Sequence, residues 1–164
     1  MSEIREVKYS DGSRYKGEFK DGKRDGKGKY YFASGARYEG EYKDNNMNGK
    51  GKYYYSNGNI YEGDFKDNKK SGTGVYRYAS GARYEGEFRN DKKNGNGVYH
   101  YPNKDKYEGE FKDDKREGKG VFHWANGDRY EGDFKNDTRD GKGTLYFKNG
   151  TSQTGKWENG SFLR

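Results

Sequence analysis

Tyr84-Glu85-Gly86-Glu87-Phe88 is one of six closely similar five-residue stretches in the chain. Tyr38-Glu39-Gly40-Glu41-Tyr42, Tyr61-Glu62-Gly63-Asp64-Phe65, Tyr107-Glu108-Gly109-Glu110-Phe111 and Tyr130-Glu131-Gly132-Asp133-Phe134 restate it. Tyr15-Lys16-Gly17-Glu18-Phe19 does so with lysine in second place. The first residues stand at 15, 38, 61, 84, 107 and 130, a constant step of 23. A fixed step of this length marks a repeat array, in which each unit buries its apolar face against its neighbours.

Each period predicts two short strands. Alternation in Arg83 to Phe88 places Tyr84, Gly86 and Phe88 on one face and Glu85 and Glu87 on the other. A Gly-x-Gly pair begins eleven residues after the tyrosine and leads into alternating aromatics, as in Gly72-Thr73-Gly74-Val75-Tyr76-Arg77-Tyr78. Period two with many Tyr and Phe favours strand, and the 27 glycines interrupt any helix long enough to nucleate. Asp21-Gly22 and Asn68-Lys69 predict turns after first strands; Ser34-Gly35, Asn57-Gly58, Ser80-Gly81, Asn126-Gly127 and Asn149-Gly150 predict them after second strands. Lys104 replaces glycine at the one turn that carries the only proline, Pro102, so a different turn shape is expected there. The glycine of each motif is expected to leave room for a ring from the adjacent strand.

The composition agrees with a core made of rings. Hydrophobic residues are 27% of the chain and aromatics 18%, so aliphatic residues are too few to fill a layered interior. High charge with low hydropathy suits disorder, but 18 Tyr, 9 Phe and 2 Trp at a strict period do not. The net charge of +7 gives a mildly basic surface rich in both signs. Without cysteine there is no thiol chemistry and no disulfide. No apolar run is long enough for a membrane span, and Met1 to Lys8 lacks the apolar stretch of a secretory signal, which points by default to the cytoplasm.

The Tyr-x-Gly-x-aromatic motif, the Gly-x-Gly that follows and the period of 23 together resemble the MORN repeat (membrane occupation and recognition nexus); Tyr84 to Phe88 followed by Gly95-Asn96-Gly97-Val98-Tyr99 is close to its consensus. The resemblance implies an all-β, elongated single-layer antiparallel meander of hairpins. Residues 1–6 then form a charged lead-in, 7–14 a half repeat, 15–152 six full repeats and 153–164 a degenerate cap around Trp157. It also implies a non-catalytic scaffold holding a partner peptide or helix, or another copy of itself, on a curved β-groove, and exposed terminal strands offer a route to self-association. Alternatives are peripheral binding to anionic phospholipid, with a membrane or cytoskeletal association, and a targeting module of a larger enzyme.

Candidate sites follow from what varies. Tyr15, Gly17, Phe19, Tyr38, Gly40, Tyr42, Tyr61, Gly63, Phe65, Tyr84, Gly86, Phe88, Tyr107, Gly109, Phe111, Tyr130, Gly132, Phe134 and Trp157 are assigned to the frame. Its aromatic columns are expected to be core, with partner contact at their open edges. The equivalent outer positions Tyr31, Tyr54, Arg77, His100 and His123 differ from repeat to repeat and are candidates for partner specificity. Lys23, Arg24, Lys69, Lys70, Lys92, Lys93, Lys115, Arg116 and Arg139 recur at the predicted hairpin tips and would form a basic ridge for anionic lipid. Asp residues interspersed there weaken that ridge, and a nucleic-acid partner is not favoured. His100 and His123 are too far apart to share a metal, and no cofactor is expected. The paired carboxylates recur in nearly identical surroundings, whereas catalysis needs one pair set apart, so no enzyme is expected.

Overall fold

The computed structural model describes Met1–Arg164 and contains strands and turns with no helix. The strands are β1 (Glu3–Lys8), β2 (Arg14–Lys20), β3 (Lys23–Tyr31), β4 (Arg37–Lys43), β5 (Asn46–Tyr54), β6 (Ile60–Lys66), β7 (Lys69–Arg77) and β8 (Arg83–Arg89). They continue as β9 (Lys92–His100), β10 (Lys106–Lys112), β11 (Lys115–His123), β12 (Arg129–Lys135), β13 (Thr138–Tyr146), β14 (Ser152–Glu158) and β15 (Ser161–Phe162). Two compact units are present, Met1–Ala79 with Arg89–Asp91, and Ser80–Phe88 with Lys92–Arg164. Within each, the strands run antiparallel in chain order, as a meander of hairpins requires. The first strand begins at Glu3 and so takes in most of the charged lead-in.

The register explains the motif. In β2–β3, Tyr15 pairs with Tyr30 and Gly17 with Gly28, after which a bulge shifts the partner of Phe19 to Arg24. The same break recurs after Gly40, Gly63, Gly109 and Gly132. Bulging frees polar backbone groups, and the motif supplies their partners. The Tyr15 hydroxyl donates to the Glu18 carbonyl at 3.0 Å, and Tyr38 does the same to Glu41 at 2.7 Å. The Glu41 carboxylate accepts from the Lys50 amide at 2.5 Å, and Glu18, Asp64, Glu87, Glu110 and Asp133 take the equivalent amides of Lys27, Thr73, Asn96, Lys119 and Lys142. Gly49, at φ 101°, makes this possible: a Cβ there would meet the Glu41 carboxylate.

The paired glycines have a different task. Tyr61 lies across Gly74 so closely that a Cβ on Gly74 would stand 2.5 Å from its hydroxyl. Gly63 faces the backbone of Gly74 as well as the same ring: a Cβ on it would be 2.5 Å from the Gly74 Cα and 2.8 Å from the Tyr61 hydroxyl. The ring over each glycine pair thus comes from the motif's own tyrosine, which corrects the expectation of a ring from the adjacent strand. Tyr15, Tyr38, Tyr61, Tyr84, Tyr107 and Tyr130 have 0% exposure. Tyr15, Tyr38, Tyr84, Tyr107 and Tyr130 each pack edge-on against two aromatics, as Tyr38 does on Tyr42 and Phe65 at 5.2 and 5.1 Å. Burial pushes the hydroxyls of Tyr15 and Tyr130 up to about 12 and raises those of Tyr38, Tyr61, Tyr84 and Tyr107 further.

Two turn expectations are revised. The first-strand turns centre one residue earlier than Asn68-Lys69: Asp67 and Asn68 both have positive φ, 48° and 69°, the two-residue hairpin geometry that follows strand twist. Lys104 does not reshape its turn. It adopts φ 74°, and the bonds from Tyr101 N to Asp105 O (2.9 Å) and Lys104 N to Tyr101 O (3.0 Å) match those of the glycine turn at Trp124 and Gly127.

Candidate partner-binding site

The aromatic face carries two rows of rings. The row of Tyr15, Tyr38 and Tyr61 is closed. Beside it, in the first unit, runs a half-buried stripe of Tyr9, Tyr30, Phe32, Tyr53, Tyr55, Tyr76 and Tyr78. Successive centroids lie 5.9, 4.6, 5.5, 4.5, 5.6 and 4.5 Å apart, so the rings form one uninterrupted surface across the strands. The second unit carries a shorter stretch of Tyr99, Tyr101, Phe122 and Trp124 with spacings of 4.5, 5.6 and 4.7 Å. The signal of both stretches in the sequence is a pair of aromatics two residues apart at the ends of β3, β5, β7, β9 and β11; Leu145 breaks it at β13.

Cations edge the stripe. Arg24 lies 6.0 Å from the Tyr9 ring and 5.2 Å from that of Tyr30, and its guanidinium donates to the Tyr9 hydroxyl at 3.0 Å. Lys70 sits 5.7 and 5.5 Å from Tyr55 and Tyr76, Lys93 5.2 Å from Tyr99, Arg116 5.3 Å from Phe122 and Arg139 5.4 Å from Trp124. Met47 occupies this place in its repeat. Each such residue also joins the following tip: the Asn45 amide donates to the Arg24 carbonyl and the Arg24 amide to the Asn45 Oδ1, both at 2.9 Å. Met47–Asn68, Lys70–Asp91, Lys93–Asp114 and Arg116–Asp137 repeat the exchange.

The nine residues assigned to a basic ridge therefore divide by position. Lys23, Lys69, Lys92 and Lys115 are exposed. Arg24, Lys70, Lys93, Arg116 and Arg139 turn onto rings, and the side chains of Lys70 and Lys93 are only 12% and 13% exposed.

The opposite face holds the five variable positions. Tyr31 lies beneath Arg14 at 4.3 Å and Tyr54 beneath Arg37 at 4.0 Å. Arg77 is exposed, opposite Ile60 in the register. Lys106 pairs in register with both His100 and His123. His123 Nε2 lies 3.8 Å from Glu108, yet burial, with Lys106 beside it, holds its imidazole below the usual range. One row inward, the backbones of Gly17, Gly28 and Gly40 floor a trough of about 630 Å³ walled by Lys16, Lys27, Lys29, Glu39, Glu41 and Lys50, with Ile4 and Tyr31 beside it. Lys29 meets Glu39 at 3.6 Å, so part of this wall is already paired. No three metal-binding side chains gather anywhere.

An all-strand array with this ring and carboxylate in each period defines a class of repeat protein. A family model described as MORN repeat matches residues 15–37, 38–60, 61–83, 84–106, 107–129 and 130–152. The chain belongs to the MORN-repeat family. Among solved structures it is similar to the TCP domain of Drosophila melanogaster SAS-4 (dCPAP), in complex with a proline-rich motif of Ana2 (dSTIL), at 17% identity and a TM-score of 0.54, covering 94% of this chain and 90% of that one. That likeness is one of fold. The TCP10c domain of Drosophila melanogaster Sas-4 is 17% identical (TM-score 0.48; 92% and 97% covered), and the TCP10 domain of Danio rerio CPAP 15% identical (TM-score 0.42; 93% and 83% covered). No curated protein matches the chain.

Proposed function

We propose that this MORN-repeat protein is a non-catalytic scaffold that holds an extended segment of a partner protein along the aromatic stripe. The observation that carries this reading is the contrast between the two rows of rings. Tyr15, Tyr38 and Tyr61 are sealed, while Tyr30, Phe32, Tyr53 and Tyr55 beside them keep part of their surface open. Open aromatic surface edged by cations suits a partner segment that offers apolar side chains and negative charge. The SAS-4 domain, alike in fold, is described in complex with a proline-rich motif, which supports an extended partner. The variable positions Tyr31, Tyr54, Arg77, His100 and His123 would then modulate contacts on the other face.

The test is partner capture by the whole chain from cell extract. Retention should survive changing Lys23, Lys69, Lys92 and Lys115 to Ser and fail on changing Phe32 and Tyr55 to Ser. Capture indifferent to Phe32 and Tyr55 would overturn the reading. A second reading, binding of anionic membrane, draws on the recurrence of those four exposed lysines at one phase. Vesicles containing phosphatidylserine test it: binding at low salt that disappears in the four-lysine variant supports it, and no binding at low salt removes it.

A further inference from the structure

The spacing of the stripe selects one backbone conformation for its occupant. We infer that the stripe of the first unit receives a left-handed polyproline II segment with proline at every third residue, one turn per repeat. This rests on the scaffold reading and narrows its partner class.

Equivalent rings recur every two strands, which at about 4.8 Å per strand is a spacing of roughly 9.6 Å. A polyproline II helix rises about 3.1 Å per residue with three residues per turn, so equivalent residues recur at about 9.3 Å. From Tyr9 to Tyr78 there are three repeat intervals, over which the mismatch grows only to about 1 Å. An extended strand presents one face every roughly 6.7 Å and falls out of step within a single repeat. An α-helix returns to one face after seven residues, about 10.5 Å, and is some 3 Å out of step after three repeats. Only the polyproline period stays with the rings.

The chemistry agrees with the spacing. Neighbouring rings in the stripe are inclined to each other, Tyr30 to Phe32 by 46°, Tyr53 to Tyr55 by 44° and Tyr76 to Tyr78 by 45°. Inclined ring pairs make shallow notches that accept a pyrrolidine ring, and a preformed polyproline segment loses little entropy on docking. The flanking Arg24 favours an acidic residue between the prolines, whereas Lys70 is already paired with Asp91 at 3.5 Å and Met47 leaves the middle repeat uncharged.

Titration calorimetry of the full chain with acetyl-(Pro-Pro-Glu)4-amide tests this, with acetyl-(Ala-Ala-Glu)4-amide as control. The proline peptide should bind saturably, at least tenfold tighter than the alanine peptide, and weaken tenfold or more on changing Phe32 and Tyr55 to Leu. Because those variants alter packing, the same peptide carrying a benzophenone in place of one proline is cross-linked to the unaltered chain. Adducts on Tyr30, Phe32, Tyr53 or Tyr55 support the proposal. Adducts in the trough around Lys29 and Lys50, equal binding of the two peptides, or no saturable binding overturns it. If partner capture depends on Phe32 and Tyr55 while the proline peptide does not bind, the scaffold reading stands and the polyproline inference falls.

Discussion

Glu39 and Glu41 differ by two positions in one motif, yet only Glu41 turns its carboxylate onto a backbone amide, that of Lys50 at 2.5 Å. Glu39 instead meets two solvated cations, Arg37 at 3.1 Å and Lys29 at 3.6 Å. An unreplaced acceptor at a bulge leaves an orphan amide, whereas an exposed ion pair contributes little. Glu41→Ala should cost about 1–2 kcal/mol, and Glu39→Ala less than about 1 kcal/mol. Urea denaturation of the two variants measures the difference, and equal losses would refute the assignment of distinct roles.

The glycines also separate by function. Gly74→Ala drives a methyl into the Tyr61 ring and should cost about 1–3 kcal/mol or more through overpacking. Gly35→Ala meets no atom within 4 Å, and its cost is that of φ 92° alone, about 1–2 kcal/mol. Thermal melts rank them, and the Tyr61→Leu background should relieve the first loss while leaving the second untouched.

Lys104 holds φ 74° where equivalent turns use glycine. Lys104→Gly removes that strain and should stabilise the protein by about 1 kcal/mol, partly offset by the greater freedom of glycine in the unfolded chain. A rise in the denaturation midpoint is the expected outcome.

Alkaline stability follows from the buried hydroxyls. A tyrosine whose folded value is raised binds its proton more tightly when folded, so its contribution is complete below the ordinary value of 10. It is lost as pH climbs towards the folded value, about 12 for Tyr15 and Tyr130. Denaturation monitored at successive pH values should show stability little changed by tyrosine ionisation to about pH 9.5, then falling steeply. Absorbance near 295 nm should report ionisation of the six motif tyrosines together with unfolding.

Alternation and period made much of this legible. The step of 23, the face shared by Tyr84, Gly86 and Phe88, and the hairpin meander all follow from residues two apart, because strand geometry repeats at that interval. Alternation fails where the ladder breaks. Glu39 and Glu41 look alike in sequence, and only the bulge turns the second towards the backbone. Arg24 and Lys23 look alike as tip residues, and only the bulged register sets Arg24 opposite Phe19 and over the rings while Lys23 stays in solvent. Alternation assigns the stripe's rings to the aromatic core. The stripe's continuity depends on ring orientations that residue type leaves undetermined.

The exchange between Arg24 and Asn45 has its counterpart between Met47 and Asn68, each reaching 21 residues along the chain. Excising residues 38–60 would set Asn68 against Arg24 with the same two-way exchange of backbone amide bonds available, while the bond from the Asn68 side chain to Asn46 would be lost. Such a molecule gains or loses whole periods with little remodelling at the junction. Gene duplication and deletion in steps of 69 bases are therefore structurally quiet events, and the length of the array is free to be set by what it must span.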